Sequence, residues 1–207
     1  LTLRHLRIVI PDMCSETGLC VTRGGAIHAT GDGTKVVITS VLFFGDGTEQ
    51  MHSAGAIYIT SGAQVVVTAS TFENLAVRHS GGAVQVVGDG TTLMLSFTYF
   101  RNNKKLAATA AGSGGAIEVR EQGRVVLEGV ENVFIGNVDH SPDGERTGAI
   151  SGQADETQKG VVSIETCPRG TWQAENQKDF NNFHGCPPCP AGTTTNTSNA
   201  SGLHMAS

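Results

Sequence analysis

Short runs in which apolar and other residues alternate recur along the chain. One such run follows each Gly-Ala-Ile or Gly-Ala-Val, so that Ile57 and Ile59 share one face while Tyr58 takes the other. A period of two predicts a β-strand with one buried face. A second β-rich run begins nine or ten residues after most of the repeat alanines. These second runs are Val36-Val37-Ile38, Val65-Val66-Val67, Leu93-Met94-Leu95, Val125-Val126-Leu127 and, more weakly, Val161-Val162-Ser163-Ile164.

The glycine motif that opens each unit occurs five times, and successive copies lie 30, 27, 33 and 33 residues apart. Its glycines next to alanine are Gly25, Gly55, Gly82, Gly115 and Gly148, and three copies carry a second glycine in front, namely Gly24, Gly81 and Gly114. The double glycine indicates a corner where a Cβ would obstruct the chain reversal. Gly-Asp-Gly turns such as 31–33 and 88–90 separate the two runs, and their glycines supply positive φ.

A phenylalanine follows each of the first four second runs, and an asparagine or aspartate comes two or three residues later. The phenylalanines are Phe44, Phe72, Phe100 and Phe134, and the polar residues are Asp46, Asn74, Asn103 and Asn137. If each repeat forms one coil, the phenylalanines stack into a column inside the core. The Asn and Asp side chains then form a ladder at one corner, bonded to the backbone of neighbouring coils.

A unit of about 30 residues with two or three short strands and no helical periodicity cannot bury its apolar face alone, whereas stacked units can. We therefore predict an all-β fold, a right-handed parallel β-helix of about five coils, with repeats over residues 24–165. A β-propeller needs about 40 residues and four strands in each blade, and a sandwich does not repeat one motif. Both are less consistent with these spacings.

Length, charge and apolar content narrow the class of protein. The 207 residues are 39% hydrophobic, enough for one core and an appendage but not for two full domains. A net charge of −5 gives no basic surface for nucleic acid. No apolar stretch reaches the ~18 residues that span a bilayer. We expect a monomeric fragment of a longer protein, with neither a membrane span nor a nucleic-acid partner.

The five cysteines lie only near the two ends, which suits disulfides in an oxidising compartment. A bridge between Cys14 and Cys20 would close a loop over the open end of the helix, in a cap formed by residues 1–23; free thiols are the alternative. The Cys186-x-x-Cys189 spacing permits zinc or a redox pair. The Pro-rich flanks favour a disulfide-rich segment.

Two resemblances refine this interpretation. The pairing of GGA[I/V] with F-x-x-N, literal at Phe100–Asn103 and Phe134–Asn137, resembles the repeats of chlamydial polymorphic outer-membrane proteins, which implies a pectin-lyase-like fold and a surface setting. The segment Cys167-Pro-Arg-Gly-Thr followed by Cys186-Pro-Pro-Cys189-Pro-Ala-Gly-Thr resembles ephrin-receptor-like modules. That second resemblance implies a Cys167–Cys186 bridge in a module starting over residues 166–192, with Cys189 opening the next module.

Candidate chemistry is sparse. His52 and His79 stand at matching repeat positions and would come close together, but a third metal ligand is not evident. The outward positions His28, Tyr58, Gln85 and Glu118 are mostly neutral, and Glu118, Arg120, Glu121 and Arg124 form what we interpret as a solvated corner. We therefore predict no catalytic, cofactor-binding or metal-binding residues. A polysaccharide lyase or hydrolase on this fold is the alternative.

The remaining predictions concern the surface. Two N-x-S/T acceptors, Asn196 and Asn199, lie in the polar tail over residues 193–207 and are candidate glycosylation sites. Loops of unequal length, Lys104 to Ser113 and Val138 to Thr147, line one edge of the stack. We predict an extracellular or cell-surface β-helix that acts as an adhesin-like recognition surface or rigid spacer, with a surface glycan or protein as its ligand.

Overall fold

The computed structural model describes residues 1–10, 25–47, 51–106, 114–128, 132–141, 144–146, 150–152, 161–164, 193–194 and 204–205. All regular structure in these residues is β, and their strands wind into a parallel β-solenoid of about three turns. The predicted all-β solenoid is therefore confirmed. The count of about five coils and the cysteine-rich segment stay predictions.

Each coil passes through four sheets, and each sheet takes one strand from successive coils. Sheet 1, which begins after the glycine motif, contains β3 (Ile27–Thr30), β7 (Ile57–Thr60), β11 (Val84–Val87), β15 (Ile117–Arg120) and β20 (Ile150–Gly152). Sheet 2 contains β1 (Thr2–Arg4), β4 (Lys35–Thr39), β8 (Gln64–Thr68), β12 (Thr92–Ser96), β16 (Arg124–Leu127) and β21 (Val161–Ile164). Neighbouring strands pair in parallel.

The other two sheets complete the coil. Sheet 3 contains β2 (Arg7–Val9), β5 (Leu42–Phe44), β9 (Thr71–Glu73), β13 (Tyr99–Arg101) and β17 (Val133–Ile135). Sheet 4 contains β6 (Met51–Ser53), β10 (Ala76–Ser80), β14 (Lys104–Lys105), β18 (Val138–Ser141) and β19 (Gly144–Arg146), the last of which pairs antiparallel with β18. A separate antiparallel pair joins β22 (Thr193–Thr194) to β23 (His204–Met205).

The strands of sheet 4 correct the prediction of two or three strands in each unit. They are two to five residues long, and sequences such as Met-His-Ser in β6 and Lys-Lys in β14 are too short or too uniform to show a period-two pattern. Strands β14 and β18 occupy the first residues of the two segments that we predicted to be loops, Lys104 to Ser113 and Val138 to Thr147. Pairing with neighbouring coils, rather than local propensity, makes these residues strands.

A column of stacked phenylalanines fills the core beneath sheet 3. Phe43, Phe72, Phe100 and Phe134 stack with nearly parallel rings, and successive ring centroids lie 4.7, 4.7 and 4.9 Å apart. The column was predicted, but its first member was wrong. Phe43 pairs in register with Phe72, whereas Phe44 pairs with Glu73 and points outward. A shift of one residue moves a side chain to the other face of a strand.

An asparagine ladder follows this column at the corner between sheets 3 and 4. Asn103 accepts a bond from the Leu75 amide (3.2 Å) and donates to the carbonyl of Phe72 (3.1 Å). Asn137 accepts from the Asn103 amide (3.1 Å) and donates to the carbonyl of Phe100 (3.0 Å). The ladder expected at Asn103 and Asn137 is therefore present.

Asn74 is not part of this ladder. Leu75 lies three residues after its phenylalanine and takes the ladder position, where it is fully buried in the core. Asn74 instead takes the preceding corner position, with φ 56°, which Asn102 and Gly136 occupy in the next two coils with φ 53° and 64°. By the same three-residue interval, Asp46 corresponds to Phe43.

The glycine motif forms the tightest corner, between sheets 4 and 1. A Cβ on Gly82 would clash with the carbonyl oxygen of Gly115, and one on Gly55 with that of Gly82. The residue in front adopts positive φ, at 60° in Gly81 and 110° in Gly114, and Ala54 takes the same conformation at 56° where the glycine is missing. The motif therefore combines a left-handed residue with a site that has no room for a side chain.

A buried ion pair lies within sheet 4. Lys105 and Asp139 pair in register, and their charged atoms lie 3.0 Å apart, with 1% and 8% of the side chains exposed. Oδ2 of Asp139 accepts a hydrogen bond from the Gly114 amide (3.3 Å). The preceding coil places the apolar Val77 in the same column.

Candidate recognition surface

The outer side of sheet 3 carries two columns of side chains in register. Because successive residues of a strand alternate between faces, the first and third residues of each strand point outward while the middle one enters the core. The first column is Arg7, Leu42, Thr71, Tyr99 and Val133, and the second is Val9, Phe44, Glu73, Arg101 and Ile135. We call these ten side chains, together with Phe97, the recognition face.

This face leaves large apolar side chains in contact with solvent. Val9 is 59% exposed, Ile135 50% and Phe97 44%, and Leu42, Phe44, Tyr99 and Val133 are half-buried. Scattered apolar residues are normal on a protein surface, but a contiguous set marks an interaction site. Here the apolar side chains lie in two adjacent columns of one sheet and form two groups, Val9, Leu42 and Phe44 at one end and Tyr99, Val133 and Ile135 at the other, with Thr71 and Glu73 between them.

Two arginines of the face lie against two of its three aromatic rings. The guanidinium carbon of Arg7 is 5.2 Å from the centre of the Phe44 ring, and that of Arg101 is 5.3 Å from the centre of the Tyr99 ring. Attraction between a cation and the π-face restricts each arginine to a position above the sheet. Tyrosine and arginine are also the residue types that dominate binding energy in protein interfaces.

Phe97 extends the face at the corner between sheets 2 and 3. It has φ 51° and belongs to a column of single left-handed residues with His5, Ser40 and Ala69, at φ 53°, 55° and 49°. A left-handed conformation costs a residue with a Cβ about 1–2 kcal/mol. Since the conformation recurs at this corner in four coils, what distinguishes Phe97 is its large exposed ring at a position where the other coils have His5, Ser40 and Ala69.

A second ladder of buried polar side chains stabilises the corner between sheets 2 and 3 from the inside, and it was not predicted from the sequence. The Val41 amide donates to Oγ of Ser70 (3.1 Å), and the Thr98 amide donates to Oδ1 of Asn132 (3.2 Å). Asn132 also donates to the Leu95 carbonyl (3.1 Å). The position just before each strand of sheet 3 is buried and polar in three successive coils, a signal that aligning the repeats on Phe43 reveals.

Unlike those of sheet 3, several outward side chains of sheet 1 are buried, and this finding corrects the prediction made for Glu118. Tyr58, Gln85 and Glu118 follow one another in register there, but they are only 5%, 4% and 1% exposed. Gln85 donates to Glu118 over 2.6 Å, and Arg120 lies 3.7 Å from the same carboxylate. Glu118 is therefore not part of a solvated corner. A period-two pattern shows which side a residue takes, not whether that side is covered.

Several predicted residues lie outside the described part of the chain. They are Cys14, Cys20, Cys167, Cys186, Cys189, Gly24, Gly148, Asn196 and Asn199. His52 and His79 fall in the neighbouring strands β6 and β10, but their side chains are also outside the described set. Within the residues whose side chains are described, no three His, Cys, Asp or Glu residues converge on a possible metal site.

Two searches complete this description. No helix in the described segments is long and apolar enough to cross a membrane. Comparisons of the chain with protein-family models, with curated proteins and with solved structures found no match.

Proposed function

We propose that this chain is part of a non-enzymatic extracellular or cell-surface β-helix that presents the recognition face to a ligand in the manner of an adhesin, on a body that serves as a rigid spacer. The observation that carries the proposal is the exposed apolar and aromatic surface of sheet 3, with arginines positioned over its rings. A cell-surface protein or glycan is the class of ligand.

The scaffold beneath the face supports this proposal. The stacked phenylalanines, the Asn103–Asn137 ladder and the polar ladder through Ser70, Thr98 and Asn132 all lie directly under or beside sheet 3. They set the spacing of the outward side chains before any ligand arrives. A preorganised surface loses less conformational entropy on binding, which raises affinity for a given contact area.

The proposal also includes the hand of the coil, the number of coils and the disulfide bonds of the flanking segments. We take the coil to be right-handed, because parallel crossover connections almost always are. We take the solenoid to continue to about five coils and to lead into a disulfide-bonded module with a Cys167–Cys186 bridge, and Cys14–Cys20 to close the cap. Peptide mapping without reduction tests the extracellular setting, since rapid alkylation of all five cysteines in the native protein contradicts it.

The recognition role is tested by immobilising the protein and offering it a panel of cell-surface proteins and of acidic and neutral polysaccharides, with and without Ca²⁺. Retention on the wild type that I135D abolishes supports the proposal. T30D is the matched control, because Thr30 is an exposed strand residue of sheet 1. Retention that is insensitive to I135D contradicts this face, and new polysaccharide chain ends would show an enzyme instead.

A further inference from the structure

Four successive residues of the second column are complementary to themselves when their order is reversed. They are Phe44, Glu73, Arg101 and Ile135, which read apolar, acid, base, apolar with one residue per coil, while Val9 of the preceding coil lies outside the overlap. We infer that the ligand of this face is a second copy of the same chain, docked with its solenoid axis reversed. The inference rests on the proposed function, because it names the partner of the same surface.

The geometry follows from a two-fold axis that runs parallel to the strands, midway between β9 and β13. This rotation keeps each column opposite the same column of the other copy but reverses the order of the coils. Glu73 of one copy then faces Arg101 of the other, and Arg101 faces Glu73. Every contact occurs twice, as an isologous interface requires.

The apolar residues match under the same rotation. Phe44 faces Ile135 in the second column, and Leu42 faces Val133 in the first. At the corner, the exposed ring of Phe97 faces Ala69, a small residue in the equivalent left-handed position one coil away. A large side chain opposite a small one permits close approach of the two surfaces. Charge and shape complementarity therefore favour the same arrangement.

Other face-to-face arrangements fit less well. A two-fold axis along the solenoid places each strand opposite itself and exchanges the two columns, so that Glu73 faces Thr71 and Arg101 faces Tyr99. In that arrangement neither Glu73 nor Arg101 faces an opposite charge. Contact between the copies would still remove both side chains from water, and desolvation of an unpaired charge is costly. In the described part of the chain Glu73 has no ion pair within its own copy, so its carboxylate is available to the partner.

The area of the face determines how tightly two copies should bind each other. The four strands of each copy that overlap, at a spacing of about 4.8 Å and with three residues at about 3.3 Å, give a contact of only about 200 Å² per copy, below the ~800 Å² of standard interfaces. We expect a weak and reversible dimer. Weak contacts of this kind suit surface proteins that act in large numbers, because avidity multiplies them.

Sedimentation velocity of the full chain over a concentration series tests the inference. Wild type should dimerise, whereas E73R and R101E should each bind themselves about tenfold more weakly, because each places like charges opposite one another. An equimolar mixture of E73R and R101E should form a heterodimer, and the double variant E73R/R101E should dimerise with itself. Singles that dimerise like wild type, or a mixture that stays monomeric, overturn the inference.

Two controls separate this inference from the proposed function. T30D should dimerise like wild type, and circular dichroism and urea unfolding should show that all variants keep the wild-type fold and stability. If wild type is monomeric at every concentration while I135D still abolishes retention of a panel component, the face recognises another ligand and the second-copy inference fails alone. If I135D affects neither measurement, both proposals fail.

Discussion

The side-chain amide of Asn103 donates a hydrogen bond to Oδ1 of Asn137, 2.9 Å away in the next coil, and the backbone amide of Asn103 donates to the same oxygen. One acceptor thus satisfies two donors, and all of these groups are buried. Removing it leaves polar groups without partners on both sides of a coil boundary.

We expect N137A to lower the free energy of unfolding by about 3 kcal/mol, since the Asn103 donors and the Phe100 carbonyl lose their partner in a buried setting. Urea unfolding followed by circular dichroism measures the change. N102G is the control, because Asn102 has positive φ and Gly136 holds the same position one coil later, so its effect should stay within about 0.5 kcal/mol. Equal losses in the two variants contradict the ladder.

The assignment of Phe43 rather than Phe44 to the core gives a second test. F43A should cost about 3–5 kcal/mol, as expected for removing a buried aromatic side chain. F44A should cost about 1 kcal/mol, because its ring is half-buried on the outer face. The two variants differ only in which neighbour is truncated, so a larger loss in F44A reverses the assignment. Thermal or urea unfolding suffices.

The corner glycines allow a comparison of steric clash with backbone strain. G82A should cost about 3 kcal/mol or more, because the added Cβ meets the Gly115 carbonyl and neither backbone can move freely. G33A should cost about 1 kcal/mol, since Gly33 has φ 77° but nothing lies within 4 Å of an added Cβ. Similar values for the two would mean that conformation alone selects glycine in the repeat.

The buried Lys105–Asp139 pair predicts strong non-additivity. D139N should lower the free energy of unfolding by about 3–5 kcal/mol, because it removes the carboxylate charge that lies 3.0 Å from the buried Lys105 ammonium, while an amide oxygen can still accept the bond from the Gly114 amide. Adding K105M should recover most of that loss. A double-mutant cycle by urea unfolding measures the coupling, and simple additivity of the two losses contradicts a direct interaction.

Much of the solenoid could be predicted because its signals repeat. Phenylalanines and glycines at intervals of about 30 residues identify the coil, and the alternating runs identify sheets 1 and 2. The position of Phe43 could also have been found, since only Phe43 reaches Asp46 with the three-residue interval seen at Phe100–Asn103 and Phe134–Asn137. Two adjacent phenylalanines made the choice ambiguous, and strand pairing decides it.

Other features could not be predicted from local patterns. The strands of sheet 4 are too short to show a period, and Lys104–Lys105 is a strand only because coils on both sides pair with it. The burial of Glu118 depends on the surroundings of sheet 1, on which the alternation within β15 carries no information. The recognition face was missed for a related reason, since its two columns combine residues about 30 positions apart.

The direction of the bonds between coils has a mechanical consequence. Every parallel strand pair joins one coil to the next, so these hydrogen bonds run along the solenoid axis while the covalent chain runs around it. Tension along the axis therefore passes through each coil boundary in series, and the weakest boundary opens first. A sideways load is shared among all four sheets. Such a body resists bending yet lengthens stepwise when pulled, releasing about 30 residues of extended chain with each coil that detaches.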